Sequence, residues 1–131
     1  MTASCEIVDQ RRDAIARAKG VAKILKQAAP RIEAARELPS DVVEALHDAR
    51  MFRLLLPKSV GGDEVDLRTH AEVLEILANA DASAAWCVSQ GSGCAMGVAY
   101  MPPESAKRMF GPRDAVLAFG AGIQGKAVAV D

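Results

Sequence analysis

Aromatic residues are scarce: one Trp, one Tyr and three Phe make up 4% of the 131 positions. That scarcity argues against a β-sandwich or barrel, whose strands favour aromatic and β-branched side chains, and suits closely packed helices. An excess of one charge is also missing, with 16 Lys and Arg against 17 Asp and Glu for a net charge of −1. Nothing in that balance favours a phosphate backbone or an anionic membrane surface, so no nucleic-acid partner is expected. The three cysteines are an odd number and make no disulfide framework, and no signal peptide opens the chain, because Met1–Arg12 already mixes charge and polarity. A reduced cytoplasm is the expected compartment. There is no Walker loop, no dinucleotide-binding G-x-G-x-x-G after a strand and no HExxH, and no metal site is expected.

What is present is helical patterning, in a length that fits one ordinary domain. From Ile7 to Ala29 the residues Ile15, Ala18, Ala22, Leu25 and Ala29 recur at steps of three and four, with Arg11, Arg12, Lys19, Lys23 and Lys26 on other faces. Pro30 is expected to end or kink this helix, leaving a short helical piece through Arg36. Pro39-Ser40-Asp41 has the signature of a second helix start, with Val42, Leu46 and Ala49 as its buried stripe. Met51-Phe52-Arg53-Leu54-Leu55-Leu56-Pro57 is an apolar run too short for its own helix, followed by a turn at Val60-Gly61-Gly62-Asp63, and predicts a packed loop. Asp66 can cap a third helix bearing Leu67, Ala71, Leu74 and Ala78, to about Ala80. Asp81 or Ser83 can cap a fourth, running to about Tyr100, and Pro103–Phe110 predicts a fifth, closed by Gly111 and Pro112.

Residues 82–103 carry no charged side chain, yet Ser83, Ser89, Gln90, Ser92 and three glycines make the segment too polar for a bilayer, and a buried helix is the reading. Beyond Ala115, Gly120, Gly122 and Gly125 interrupt any helix, and Lys126–Asp131 alternates like an opening strand that lacks a partner.

Few residues carry chemistry. Gly91-Ser92-Gly93 lies within a helical pattern, so it is a weak phosphate loop, and close packing against a neighbour is the plainer account. A helix-interior glycine costs roughly 1 kcal/mol relative to alanine, which implies that a helix or a ligand approaches the backbone there. His47 and His70 have no carboxylate partner in sequence and are read as surface or half-buried, without a role. Cys87 and Cys94 share one helical face but lie about 10 Å apart by helical rise, too far for a disulfide. They are read as buried thiols, with Cys94 the one that could line a pocket. For Trp86, core filling is the plainer reading and stacking near a planar cofactor or substrate the alternative.

Read in order, Leu38–Leu46, then Met51–Pro57, then Gly61-Gly62, then Glu75–Trp86, the sequence resembles the N-terminal helical domain of the acyl-CoA dehydrogenase family. The variant ending in Trp86 is also similar to the family's flavin-dependent monooxygenase relatives. The likeness runs from about residue 15 to 131. It implies an all-α fold of about five helices in an orthogonal or up-down bundle over residues 1–114, and a short β-prone tail, 115–131, leading into a β-domain that this chain does not contain. In complete enzymes of the family, this domain packs over FAD and helps wall the substrate pocket, while later domains supply most flavin contacts and the catalytic carboxylate. The resemblance therefore assigns no catalytic residue here. It implies that Trp86, Ser89, Gln90, Gly93 and Cys94 line the flavin and substrate pocket, that an acyl-CoA or other small molecule is the substrate, and that the complete enzyme is a homo-oligomer. The chain alone is expected neither to bind FAD nor to be active. Two departures stand out: Cys94 takes the place of a histidine found in the monooxygenase relatives, and Arg50 takes the place of the usual glycine before Met51-Phe52.

Overall fold

The computed structural model describes residues 3–118, 122, 125, 126, 128 and 129, with side chains from Ile7 onward. Five α-helices succeed one another: α1 (Ala3–Ala35), α2 (Ser40–Asp48), α3 (Leu67–Ala78), α4 (Ala82–Cys94) and α5 (Pro103–Phe110). Single turns of 3-10 helix lie at Met51–Arg53 and Lys58–Val60, and a longer one, Ala95–Tyr100, extends α4. No strand occurs among the described residues, and no helix there is long and apolar enough to cross a membrane. In the tail, Gly125, Lys126, Val128 and Ala129 are not in a strand, and the rest of the strand-like stretch, residues 127, 130 and 131, lies outside the described residues.

Helix α1 packs on α3, α3 on α4, and α4 on the Met51–Arg53 turn, so the core is one layer of side chains between these elements. The proline at position 30 does not end α1. Pro30 is exposed, so the hydrogen bond it forfeits falls on the side where water can replace it, while Ala28 and Ile32 on either side stay buried and hold the helix on course. The buried stripe is Ala14, Ala18, Val21, Leu25, Ala28 and Ile32. Only Ala18 and Leu25 of the sequence-predicted stripe belong to it; Ile15, Ala22 and Ala29 flank it, half-buried. A second correction concerns α3. Its buried row is Thr69, His70, Val73 and Leu77, while Leu67 is 64% exposed and Ala71 and Ala78 face outward. The buried row thus mixes Val73 and Leu77 with the polar Thr69 and His70, and Leu74 of the predicted row packs against the core from its edge.

Local signals set the boundaries. The Asp66 carboxylate accepts from the Thr69 amide at 3.0 Å and from Thr69 Oγ1 at 2.6 Å, and the Asp81 carboxylate accepts from the Ala84 amide at 2.7 Å. These bonds use amides that have no partner in the first turn of a helix. Arg50 adopts φ 60°, ψ 28° at the end of α2, so the place where the family usually has glycine demands a left-handed backbone here too. Its guanidinium is held by Asp63 Oδ1 at 2.6 Å and Gly61 O at 2.8 Å, which offsets the conformational cost. Asp63 in turn binds Arg17 of α1 at 2.7 Å, so one largely buried carboxylate links α1, the end of α2 and the following loop.

His70 is buried rather than half-buried, and its Nε2 has no hydrogen-bond partner among the described residues. Burial pushes its pKa below the ordinary value of 6.5. The unfolded chain therefore takes up a proton near pH 6.5 that the folded chain refuses, and stability falls as pH falls from there toward the folded pKa. Urea midpoints should drop between pH 7.5 and 5.5 with a slope of up to about 1.4 kcal/mol per pH unit from this residue. His70→Leu should flatten that part of the profile; an unchanged profile would count against the assignment. Asp66→Ala and Asp81→Ala should each lower the unfolding free energy by about 1 kcal/mol in the same measurement, and a loss near zero at either position would mean that cap is not formed in solution.

Candidate functional site

The five sequence-nominated residues fall on α4, and the cap at Asp81 sets where its turns begin. Ala84, Ala85, Val88, Gly91 and Ser92 turn inward. There Ser92 Oγ accepts from the Leu55 amide at 3.3 Å, which satisfies a buried donor of the Met51–Leu56 run. The remaining turns face outward. Trp86 is 66% exposed, and Ser89, Gln90, Gly93 and Cys94 lie half-buried further along the same side. A Cβ placed on Gly93 would meet nothing within 4 Å, and the same holds for Gly97 one turn further on. Past them Met96 is 45% and Tyr100 93% exposed.

Three sequence readings are corrected by this arrangement. Within residues 82–103 the α-helix ends at Cys94, is continued by 3-10 helix to Tyr100 and is buried on one side only; Trp86 fills no core; and Cys87 is exposed while Cys94 is half-buried. The cause is the same in each case. The inner side of α4 is built from alanine, valine, glycine and serine, small enough to lie close on α3 and the Met51–Arg53 turn, which leaves the larger side chains outside. Lack of charge signalled an apolar surround without saying on which side it begins.

Trp86 and Ser89 border an open groove of about 310 Å³ between α3 and α4, with Leu74, Ala78, Ala82 and Ala85 among its walls. Gln90, Gly93 and Cys94 lie further along the face and do not line that groove. Between Ala82 and Pro103 there is no carboxylate, imidazole, ammonium or guanidinium. The face can pack against a ring, donate or accept one or two hydrogen bonds through Ser89 and Gln90, and present a thiol. The α4 face itself brings no charged group, while Glu75 of α3 lines the adjoining groove. Among the described residues no group of His, Cys, Asp and Glu side chains could hold a metal ion.

With this geometry in place, comparison with known proteins is decisive for the family. The sequence profile of the acyl-CoA dehydrogenase N-terminal domain matches residues 10–115. The chain belongs to the acyl-CoA dehydrogenase family. Two curated relatives are both named indole-3-acetate monooxygenase. One, from Acinetobacter baumannii, is 37% identical over 82 residues, covering 61% of this chain and 21% of the relative. The other, from Pseudomonas putida, is 33% identical over 86 residues, covering 65% of this chain and 22% of the relative. The chain thus spans about a fifth of the length of the curated relatives it matches.

Sequence reasoning missed the role of Arg53. It is buried, and all its donors are turned onto backbone carbonyls: Nη2 onto Phe110 O at 2.9 Å and onto Pro112 O, Nη1 onto Val60 O and Gly61 O at 3.4 Å, and Nε onto Arg113 O at 3.4 Å. Burial chiefly, then the neighbouring charge of Arg50, lowers its pKa, and Asp63 and Asp114 oppose this; a guanidinium stays protonated all the same. A single cation inside an otherwise apolar run was the available signal. Arg53→Met fills similar space without donors and should cost roughly 3 kcal/mol of stability in urea unfolding, because several carbonyls would lose their partner together. Arg53→Lys, with three donors on one atom, should recover only part. A Met variant within experimental error of the parent would show that the cage contributes nothing.

Proposed function

We propose that this domain forms one wall of the flavin and substrate pocket in an FAD-dependent oxidoreductase of the acyl-CoA dehydrogenase family, acting on an acyl thioester or another small apolar substrate. The observation that carries this reading is the outward side of α4, where Gly93 and Gly97 leave the backbone open and no described residue lies against them. Glycine at an exposed helix position costs stability and returns none within the domain, so a requirement from outside it is the simplest account. In this reading Trp86 and Cys94 wall the pocket, Ser89 and Gln90 hydrogen-bond a polar group of the ligand, and Gly93 lets a planar ring approach the helix.

The residues fit one part of FAD. A flat, uncharged surface with a glycine floor suits one side of a tricyclic ring. The same surface has no cation and no run of free backbone amides that would hold a pyrophosphate, so FAD binding by the chain alone is not expected. When bound, the flavin would supply two-electron oxidation or, with dioxygen, hydroxylation. The chain's own part is to shape the pocket, exclude water from it and orient what enters.

A second reading, a flavin-dependent monooxygenase acting on an aromatic acid, is favoured by the name that both relatives share. Cys94 bears on it directly, because the histidine that the resemblance places there is absent and an imidazole-assisted step cannot run through this position. The assembly of complete enzymes into homo-oligomers belongs to the same proposal.

Gly93→Leu tests the reading. Leucine is a better helix former and would project into open space, so the isolated domain should be as stable as the parent or more so, by up to about 1 kcal/mol. In the complete flavoenzyme the same substitution should slow substrate-dependent flavin reduction at least about tenfold, a loss of about 1.4 kcal/mol in transition-state binding. Unaltered flavin reduction would overturn the proposal.

A further inference from the structure

The two glycines of the Gly91-Ser92-Gly93 triplet have different surroundings. A Cβ on Gly91 would fall 2.6 Å from Val116 Cγ1 and 3.0 Å from Phe52 Cδ1, closer than real contacts allow, whereas one on Gly93 would touch nothing. Gly91 is thus a notch in α4, and the side chain that occupies it comes from beyond α5. The segment around Val116 is tied down by several independent contacts. Arg53 holds the carbonyls of Phe110, Pro112 and Arg113. The Arg113 guanidinium pairs with Glu44 at 3.3 Å and with Asp48, both on α2. Ala115 and Leu117 pack on the buried cluster around Leu56, Ala95 and Phe110.

We propose that residues 110–117 are a strap seated in the Gly91 notch, which fixes the path by which the chain crosses α4 on the side opposite Gly93. Gly91 is then a positioning residue, and the loss of helix propensity it brings is the condition for seating Val116. The strap stands on these contacts alone and is independent of the reading of the outward side of α4 as a pocket wall.

The seating is irregular backbone anchored by side chains, the kind of segment that opens locally before the helices do. Trypsin cleavage after Arg113 reports that opening, because cleavage tracks the population of the open form. In the purified chain Gly91→Ala should raise the cleavage rate roughly tenfold and abolish the NMR contact between the Val116 methyls and the Phe52 ring, with helical circular dichroism unchanged. Gly91→Ala combined with Val116→Ala exchanges the volumes across the contact and should return cleavage toward the parental rate. Gly93→Ala, on the open side, should leave the rate as it is. Parental cleavage in Gly91→Ala would overturn the strap, and so would a loss of folding that Val116→Ala fails to rescue, since the clash would then lie with Phe52. Because cleavage and methyl contacts are read without flavin, failure here is distinguishable from failure of the pocket reading.

Discussion

The constraint on which this domain turns is that Met51–Leu56 is buried in full without belonging to a regular α-helix. A buried backbone must still pair its amides and carbonyls, and a short non-helical run cannot do so internally. The next loop supplies the partners: the amides of Asp63, Glu64 and Val65 donate to the carbonyls of Arg53, Leu56 and Leu54 at 2.9, 3.1 and 2.9 Å. That close return excludes a side chain at position 62, where a Cβ would stand 1.8 Å from Leu56 O. Ser92 supplies a partner for the Leu55 amide and so ties α4 to the run. The neighbouring features depend on this pairing. Arg50 turns left-handed to start the run, Asp63 holds Arg50 and Arg17 around it, and Arg53 repeats the principle in reverse by lending its donors to carbonyls elsewhere.

Helix α4 inherits two unlike sides from that arrangement. Its inner side must lie close to Phe52 and Leu55, which selects alanine, serine and the notched Gly91; its outer side is released from that demand. Outer residues would ordinarily become Lys, Glu or Gln, the usual choice for a solvated helix surface. Instead Trp86, Cys87, Met96 and Tyr100 are exposed, and no charge appears between Ala82 and Pro103. An apolar surface of this extent is costly in a free domain and sensible in a larger protein where it is covered.

Much of the fold was legible because its punctuation is local. The Asp66 and Asp81 caps, Pro39 before α2 and the bounds of α5 depend on a few adjacent residues, and each lies where the sequence places it. Orientation was less legible. On α1 two rows one position apart are both apolar, and on α3 the buried row includes the polar Thr69 and His70, so the choice is made by the partner helix, which periodicity does not contain. Pro30 misled for a related reason: its local penalty is real, but burial of Ala28 and Ile32 beside it outweighs one lost bond on the wet side. Of the candidate site, the helix and the residues of one side were legible through resemblance, whereas the exposure of Trp86 and Cys87 was not, because lack of charge looks the same inside a core and on a surface awaiting a partner. Arg53 and His70 escaped because buried polar groups are rare enough that the default reading places them outside.

The contrast between Gly91 and Gly93 separates two causes that sequence alone merges. Both lower the helix propensity of α4 by a similar amount, and both are explained by something close to the backbone. For Gly91 the neighbour is present, as Val116 and Phe52, and substitution within this chain can measure what the contact contributes. For Gly93 no described residue is the neighbour, so the same substitution should leave the isolated domain as stable or more so, and only the proposed function expects it to harm a complete enzyme. Under the proposed function, a residue whose replacement stabilises the domain and slows the enzyme would mark the boundary between what holds this domain together and what it meets. On α4 the two sides are reached within two positions, with Ser92 alone between Gly91 and Gly93.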